Sequence, residues 1–104
     1  MIVIVWQFRA ASGREADFVR AYGPDGVWVA FFRKGSGYRE TELVRDLADR
    51  GRFLTLDRWD SEDAFLAFGR AHAAEYAAID RQCEALCAEE RLLGRFEWPV
   101  ALPG

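Results

Sequence analysis

The 104-residue chain has no asparagine, one histidine, one methionine, two cysteines and three prolines, and Lys34 is its only lysine among fourteen basic residues. Each shortage excludes something. Cys83 and Cys87 lie four apart in a helical pattern, which argues against a structural disulfide between them, and a reducing interior would keep both as thiols. No apolar run approaches the ~20 residues that a spanning helix needs. The opening MIVIVW is too short, and it has neither a basic flank nor a cleavage site, so no signal peptide is read and a cytoplasmic protein is expected. Positive charge is not in excess either. The net charge of −3 gives no reason to expect nucleic acid or an anionic membrane as partner. Nucleotide-binding signatures are missing: there is no G-x-G-x-x-G, no Walker lysine and no G-x-S-x-G, and GSG at Gly35–Gly37 reads as a turn. His72 and Cys83 stand eleven residues apart, roughly 16 Å along a helix, too far to share a metal. Glu89 and Glu90 straddle a strand start and point in opposite directions, so they form no acid/base pair. No metal and no cofactor are expected. The bias toward arginine carries no functional weight.

What the chain does have is apolar and aromatic mass, 51% and 14% of its residues. That suits one domain, taken as residues 1–98 with a tail at 99–104, and it sits far from disordered compositions. A monomer of this length buries only about 60–70% of its unfolded surface, so association gains much.

Alternation and punctuation divide the domain. MIVIVWQFRA reads as a strand. Ser12 with Glu15 predicts a capping box opening a helix that carries Phe18, Val19 and Tyr22 on one side, and Gly23–Pro24 end it. Trp28, Phe31 and Phe32 predict a second short helix. Strands follow at Tyr38–Leu47 and Arg52–Trp59, joined by a hairpin loop around ADRG. Asp60 or Ser61 caps the next helix, whose first turn holds Glu62 and Asp63, and a single helix is expected to run to about Cys87 or Ala88. A last strand spans roughly Glu90–Trp98. The order βαββαβ is that of an α+β, ferredoxin-like domain, a four-stranded antiparallel sheet with its helices on one face. In the first strand Ile2, Ile4, Trp6 and Phe8 point one way and Val3 and Val5 the other. In the third strand Phe53, Thr55 and Trp59 alternate with Leu54 and Leu56. Both sheet faces are therefore apolar while helices cover only one, and a second copy packed face to face, as a homodimer, is expected to cover the other.

The stretches FVRAYGPDGVWVAFF, GSGYRETELVRD, LTLDRWDSEDAFLAF and EERLLGRFE together resemble the antibiotic biosynthesis monooxygenase family of the dimeric α/β-barrel superfamily, in an uncharacterised branch. The resemblance covers nearly the whole chain, and RWDSEDAF is its most specific element. It implies a dimeric barrel with a pocket between helices and sheet. It also implies a choice among cofactor-free oxygenases that turn anthrones into quinones, haem-degrading monooxygenases and proteins acting on quinols. Relatives of the first kind use an asparagine with tryptophan and arginine. Haem degraders use a first-strand asparagine with a third-strand tryptophan and a histidine on the second helix. This chain has no asparagine, and Gln7 is the one amide near that place.

At 100° per residue, Phe65, Phe68, His72, Tyr76, Ile79, Cys83 and Leu86 fall within about 60° of arc on the long helix, with His72 near the centre of the stripe. Leucine or phenylalanine there would gain roughly 1.5–3 kcal/mol from burial with no polar group to satisfy, so the imidazole suggests a use. The bland alternative is a core histidine satisfied by a hydroxyl or a carbonyl. In the enzymatic reading His72 is the base, Tyr76 orients it or donates to an oxyanion, Trp59 and Trp28 stack on an aromatic substrate, and Tyr22, Phe68 and Gln7 complete the pocket. Arg9, Arg39, Arg45, Arg58 and Arg95 lie on strands and are expected in salt bridges. A non-catalytic protein binding a hydrophobic metabolite in the same pocket is the competing class, and haem degradation the weaker one.

Overall fold

The computed structural model describes residues 1–103. Strand β1 (Ile2–Ala10) leads into helices α1 (Glu15–Tyr22) and α2 (Val27–Phe32). Strands β2 (Tyr38–Arg45) and β3 (Arg52–Trp59) follow, then α3 (Glu62–Ala71), α4 (Ala73–Cys83), a 3-10 turn at Glu84–Leu86 and β4 (Cys87–Glu97). The sheet is antiparallel in the order β2-β3-β1-β4, the ferredoxin-like arrangement. Register sets the faces: Phe8 opposes Phe53 and Ile2 opposes Trp59, so one parity of β1 and β3 enters the helix layer together.

Two local expectations are corrected. The Ser12–Glu15 capping box does not form; Arg14 precedes the first helical turn of α1 and no side chain caps it. Gly13, at φ 77°, turns the chain so that Arg14 N–H bonds the Ala11 carbonyl at 2.9 Å, and this leaves Ser12 too far back to reach the helix. Ser61 does cap α3, its hydroxyl accepting from the Ala64 N–H at 3.0 Å.

The expected long helix is two helices. At His72 (φ −122°, ψ 27°) α3 ends and α4 begins, and the second helix stops at Cys83, so β4 starts at Cys87 rather than Glu90. Neither glycine nor proline stands at the break. Tertiary packing decides it: Phe65 and Phe68 of α3 close on Trp59, while Tyr76 of α4 closes on Trp28. The alanine-rich start of α4 offers little apolar surface to hold a single straight axis.

The core is aromatic. Phe18 touches Tyr22, Phe53 and Phe8 at centroid distances of 4.5, 4.8 and 5.5 Å. On the opposite sheet face Val5, Leu54 and Leu56 are half-buried, and Phe96 and Trp98 remain 48% and 42% exposed. Trp98 lies over the Arg58 guanidinium at 4.6 Å. Of the strand arginines, Arg9 pairs with Asp49, Arg39 with Asp60, Arg58 with Glu40 and Glu42, and Arg95 with Glu62. Arg45 instead covers the Phe53 ring at 4.7 Å.

Candidate functional site

Strand β3 alternates Phe53, Thr55, Asp57 and Trp59 into the helix layer, all four buried. At Trp59 the layer is filled, because Phe68, Tyr38, Phe65 and Phe32 surround the indole at 5.1, 5.4, 5.6 and 5.9 Å. Even the backbone is pressed close, since a Cβ on Gly35 would meet this indole at 2.8 Å. Two residues earlier on the strand the neighbours are short, and a cleft opens. Thr41, Thr55 and Asp57 line it from β2 and β3, Trp6 and Phe8 from β1, and Tyr22, Trp28 and Phe32 from the first two helices. Tyr76 and Asp80 of α4 and Glu90 of β4 complete it. The cleft has about 420 Å³ of open space counted out to its mouth.

Asp57 is 5% exposed, and Thr41 Oγ1 donates to its Oδ1 at 2.6 Å. Having spent its one proton there, Thr41 accepts from the Tyr38 hydroxyl at 2.8 Å, so a chain runs Tyr38→Thr41→Asp57. Among the described residues this is the one hydrogen bond to the carboxylate. Burial pushes the Asp57 carboxyl up to about 6, against the opposing pull of Thr41. Tyr76 is pushed up to about 12 by burial and by the carboxylates of Asp80, Glu90 and Asp57, so its hydroxyl keeps its proton. Burial and Asp80 raise Glu90. Burial also raises Tyr22, whose hydroxyl accepts from Cys87 Sγ at 3.5 Å. The Trp28 indole N–H is buried without an acceptor.

Of the residues singled out in the sequence, Tyr22, Trp28 and Tyr76 line this cleft. His72 does not: it sits at the α3/α4 break, with its ring 4.7 Å from Phe68 and edge-on to Phe31 at 6.0 Å. Phe68 and Trp59 belong to the filled end of the layer. Gln7 has the opposite parity from Trp6 and Phe8, and its Oε1 accepts from Arg52 Nε and Nη2 at 3.0 and 2.7 Å across the sheet from the cleft. Asp57 is the residue that sequence reading passed over. Its signal was there, a carboxylate on the inward parity of a strand between Thr55 and Trp59.

The profile of the antibiotic biosynthesis monooxygenase family matches residues 1–78. The chain belongs to that family. Among solved structures, it is similar to SnoaB from Streptomyces nogalater, a cofactor-independent oxygenase, with a TM-score of 0.67 at 20% identity over 99% of this chain and 97% of that one. A mutant of MhuD, with two manganese protoporphyrin IX bound per active site, superposes with a TM-score of 0.71 at 18% identity over the whole of both chains. A Pseudomonas aeruginosa protein gives a TM-score of 0.65 at 17% identity, covering 91% of this chain and 90% of its own. An alignment 80 positions long, covering 72% of this chain, is 34% identical to the cytoplasmic leucine–tRNA ligase of Neurospora crassa, and the chain spans only 7% of the ligase.

Within the antibiotic biosynthesis monooxygenase frame, the cleft offers a buried carboxylate with a hydrogen-bonded chain behind it and the Tyr76 hydroxyl as a donor, inside aromatic walls. Among the described residues no three His, Cys, Asp or Glu side chains are placed to hold a metal, and no helix is long and apolar enough to cross a membrane.

Proposed function

We propose that the protein is a cofactor-independent oxygenase acting on an aromatic molecule of the anthrone or quinol type, with Asp57 as its general base. The observation that carries this reading is the near-complete burial of Asp57 in an aromatic cleft with a carboxyl raised to about 6. A base poised just below neutral pH is largely ionised and still strong enough to take an acidic C–H or O–H proton. The electron-rich substrate anion then reduces dioxygen directly. With an anthrone, the methylene loses both hydrogens, one oxygen atom becomes the new carbonyl and the other leaves as water. Tyr76 donates to the oxyanion as it forms, and the proton held on Asp57 goes to the departing oxygen, so that both methylene hydrogens leave in the water. SnoaB, with the same fold, is an oxygenase that needs no cofactor. The aromatic walls bind and orient the rings and exclude water.

Haem does not fit these residues. His72 lies outside the cleft between Phe31 and Phe68, and the floor is a carboxylate rather than an imidazole. The non-catalytic reading, a binding protein for the same molecules, keeps the cleft and drops the proton transfer.

The uncovered sheet face supports a homodimer built through it. Val5, Leu54, Leu56, Phe96 and Trp98 form the apolar part, and burying more than about 1,000 Å² would make it stable. Oxygen uptake with a panel of anthrones and quinols tests the oxygenase. Uptake that rises through about pH 6 and vanishes in Asp57→Asn supports it, whereas binding of the same compounds without oxygen consumption supports the binding protein.

A further inference from the structure

We infer that the molecule accepted by this cleft carries a cationic amine beside its aromatic ring, the ring's acidic group reaching Asp57 and the amine resting at the mouth between Asp80 and Glu90. This deepens the reading above, because it rests on the same cleft being the ligand site, but it does not depend on oxygen chemistry. Three carboxyl groups line the cleft, and no lysine, arginine or histidine does. They are not equivalent. Asp57 is at the floor, nine-tenths buried, with Oδ1 bonded to Thr41 and no described residue donating to Oδ2. Asp80 and Glu90 are exposed, and they also border a second, open depression of about 510 Å³ lined by Glu84 and Glu89, again with no basic side chain. The potential is thus negative from floor to rim. An anionic ligand would meet three like charges, and a neutral one would gain nothing from the rim carboxylates.

The walls favour a cation as well. Trp6, Trp28 and Tyr76 line the same cleft as these acids, and the faces of such rings attract alkylammonium groups. A positive charge at the mouth also has a use in the chemistry. Moving a proton from a ring O–H to Asp57 leaves the negative charge on the ligand inside a negative cleft, and an ammonium a few bonds away offsets that repulsion.

Three matched probes test this: tyramine (cation), 4-ethylphenol (neutral) and 3-(4-hydroxyphenyl)propanoate (anion), titrated against the intact protein at pH 7.5 and low salt by calorimetry and tryptophan fluorescence. Tyramine is expected to bind about tenfold more tightly than 4-ethylphenol, with the propanoate weakest, and the preference should shrink as salt is added. In the double variant Asp80→Asn/Glu90→Gln, whose sites are exposed and outside the core, the tyramine advantage should fall to within about twofold while 4-ethylphenol binding stays. Equal binding of tyramine and 4-ethylphenol, tighter binding of the propanoate, or no binding of any probe at millimolar concentration overturns the inference. If the preference holds but none of the anthrones, quinols or amine-bearing analogues consumes oxygen, the oxygenase reading fails and the amine inference stands.

Discussion

Two neighbouring positions on β3, Asp57 and Trp59, face the same helix layer and meet opposite fates. Around Trp59 four aromatic side chains pack close, and Gly35, in the turn before β2, brings backbone against the ring. Around Asp57 the partners on the sheet are threonines, and the helix above presents Tyr76 where α3 presents Phe65 and Phe68. Side-chain length, not polarity alone, separates a packed core from a cleft. The histidine that stands out in the sequence belongs to the packed region, and the aspartate that does not stand out belongs to the open one.

The largest effect should come from the open end. Asp57→Asn keeps the shape and the acceptor for Thr41 but removes the base, so oxygen uptake should fall by about 10²- to 10⁴-fold with binding retained. The packed end should respond in stability instead. Trp59→Ala is expected to destabilise the fold by about 3–5 kcal/mol, measured by urea unfolding, through the cavity left in a fully buried site. Equal losses of activity and stability in both variants would erase the distinction between the two regions.

Charge burial at the open end has its own signature. The Asp57 carboxyl titrates near 6 in the folded protein against 3.8 in a free aspartate, so between these values the folded state keeps a proton that the unfolded state has released. Its contribution is therefore most favourable below about pH 4, declines across pH 4–6 and stays low above. Asp57→Asn should remove that decline and raise stability at pH 8, relative to wild type, by up to roughly 3 kcal/mol. Asp17 beside Arg14, Asp46 under the Ala48 N–H and Arg52, and Asp49 beside Arg9 shift downward and act in the opposite sense at lower pH, so the difference between wild type and variant is the quantity to follow.

Gly35→Ala probes the packing from the backbone side. Its Cβ would stand 2.8 Å from both Trp59 and Phe68, and a loss of about 1–3 kcal/mol is expected in thermal unfolding. The smallest effect should be His72→Leu, within about 1 kcal/mol in stability and within about twofold in turnover. Turnover that vanished in that variant would return the chemistry to His72 and move the site along the helix layer.

Much of this was legible in the residues. Period-two alternation in MIVIVWQF and RFLTLDRW, the Ser61 cap and the punctuation at Gly23–Pro24 led to the strand order and the face each strand buries, because these signals are local. The break at His72 was not, since no glycine, proline or polar cap marks it and the packing of α3 on Trp59 and α4 on Trp28 creates it. The helical stripe placed Tyr76 on the inward side, but the same stripe continued through a junction where its geometry no longer held. Asp57 was visible as an inward position on β3; that it opens on a cleft rather than pairing with a buried cation depends on Thr41, Thr55 and Tyr76, which converge from three distant segments.

The most direct test of the central claim needs no substrate. Carbon-detected NMR titration of the side-chain carboxyls, with Asp57→Asn to assign the resonance, should show Asp57 titrating near 6 and shifting when an aromatic ligand is added. A value near 4, unmoved by ligand, would mean that Asp57 is solvated and that the cleft holds no base.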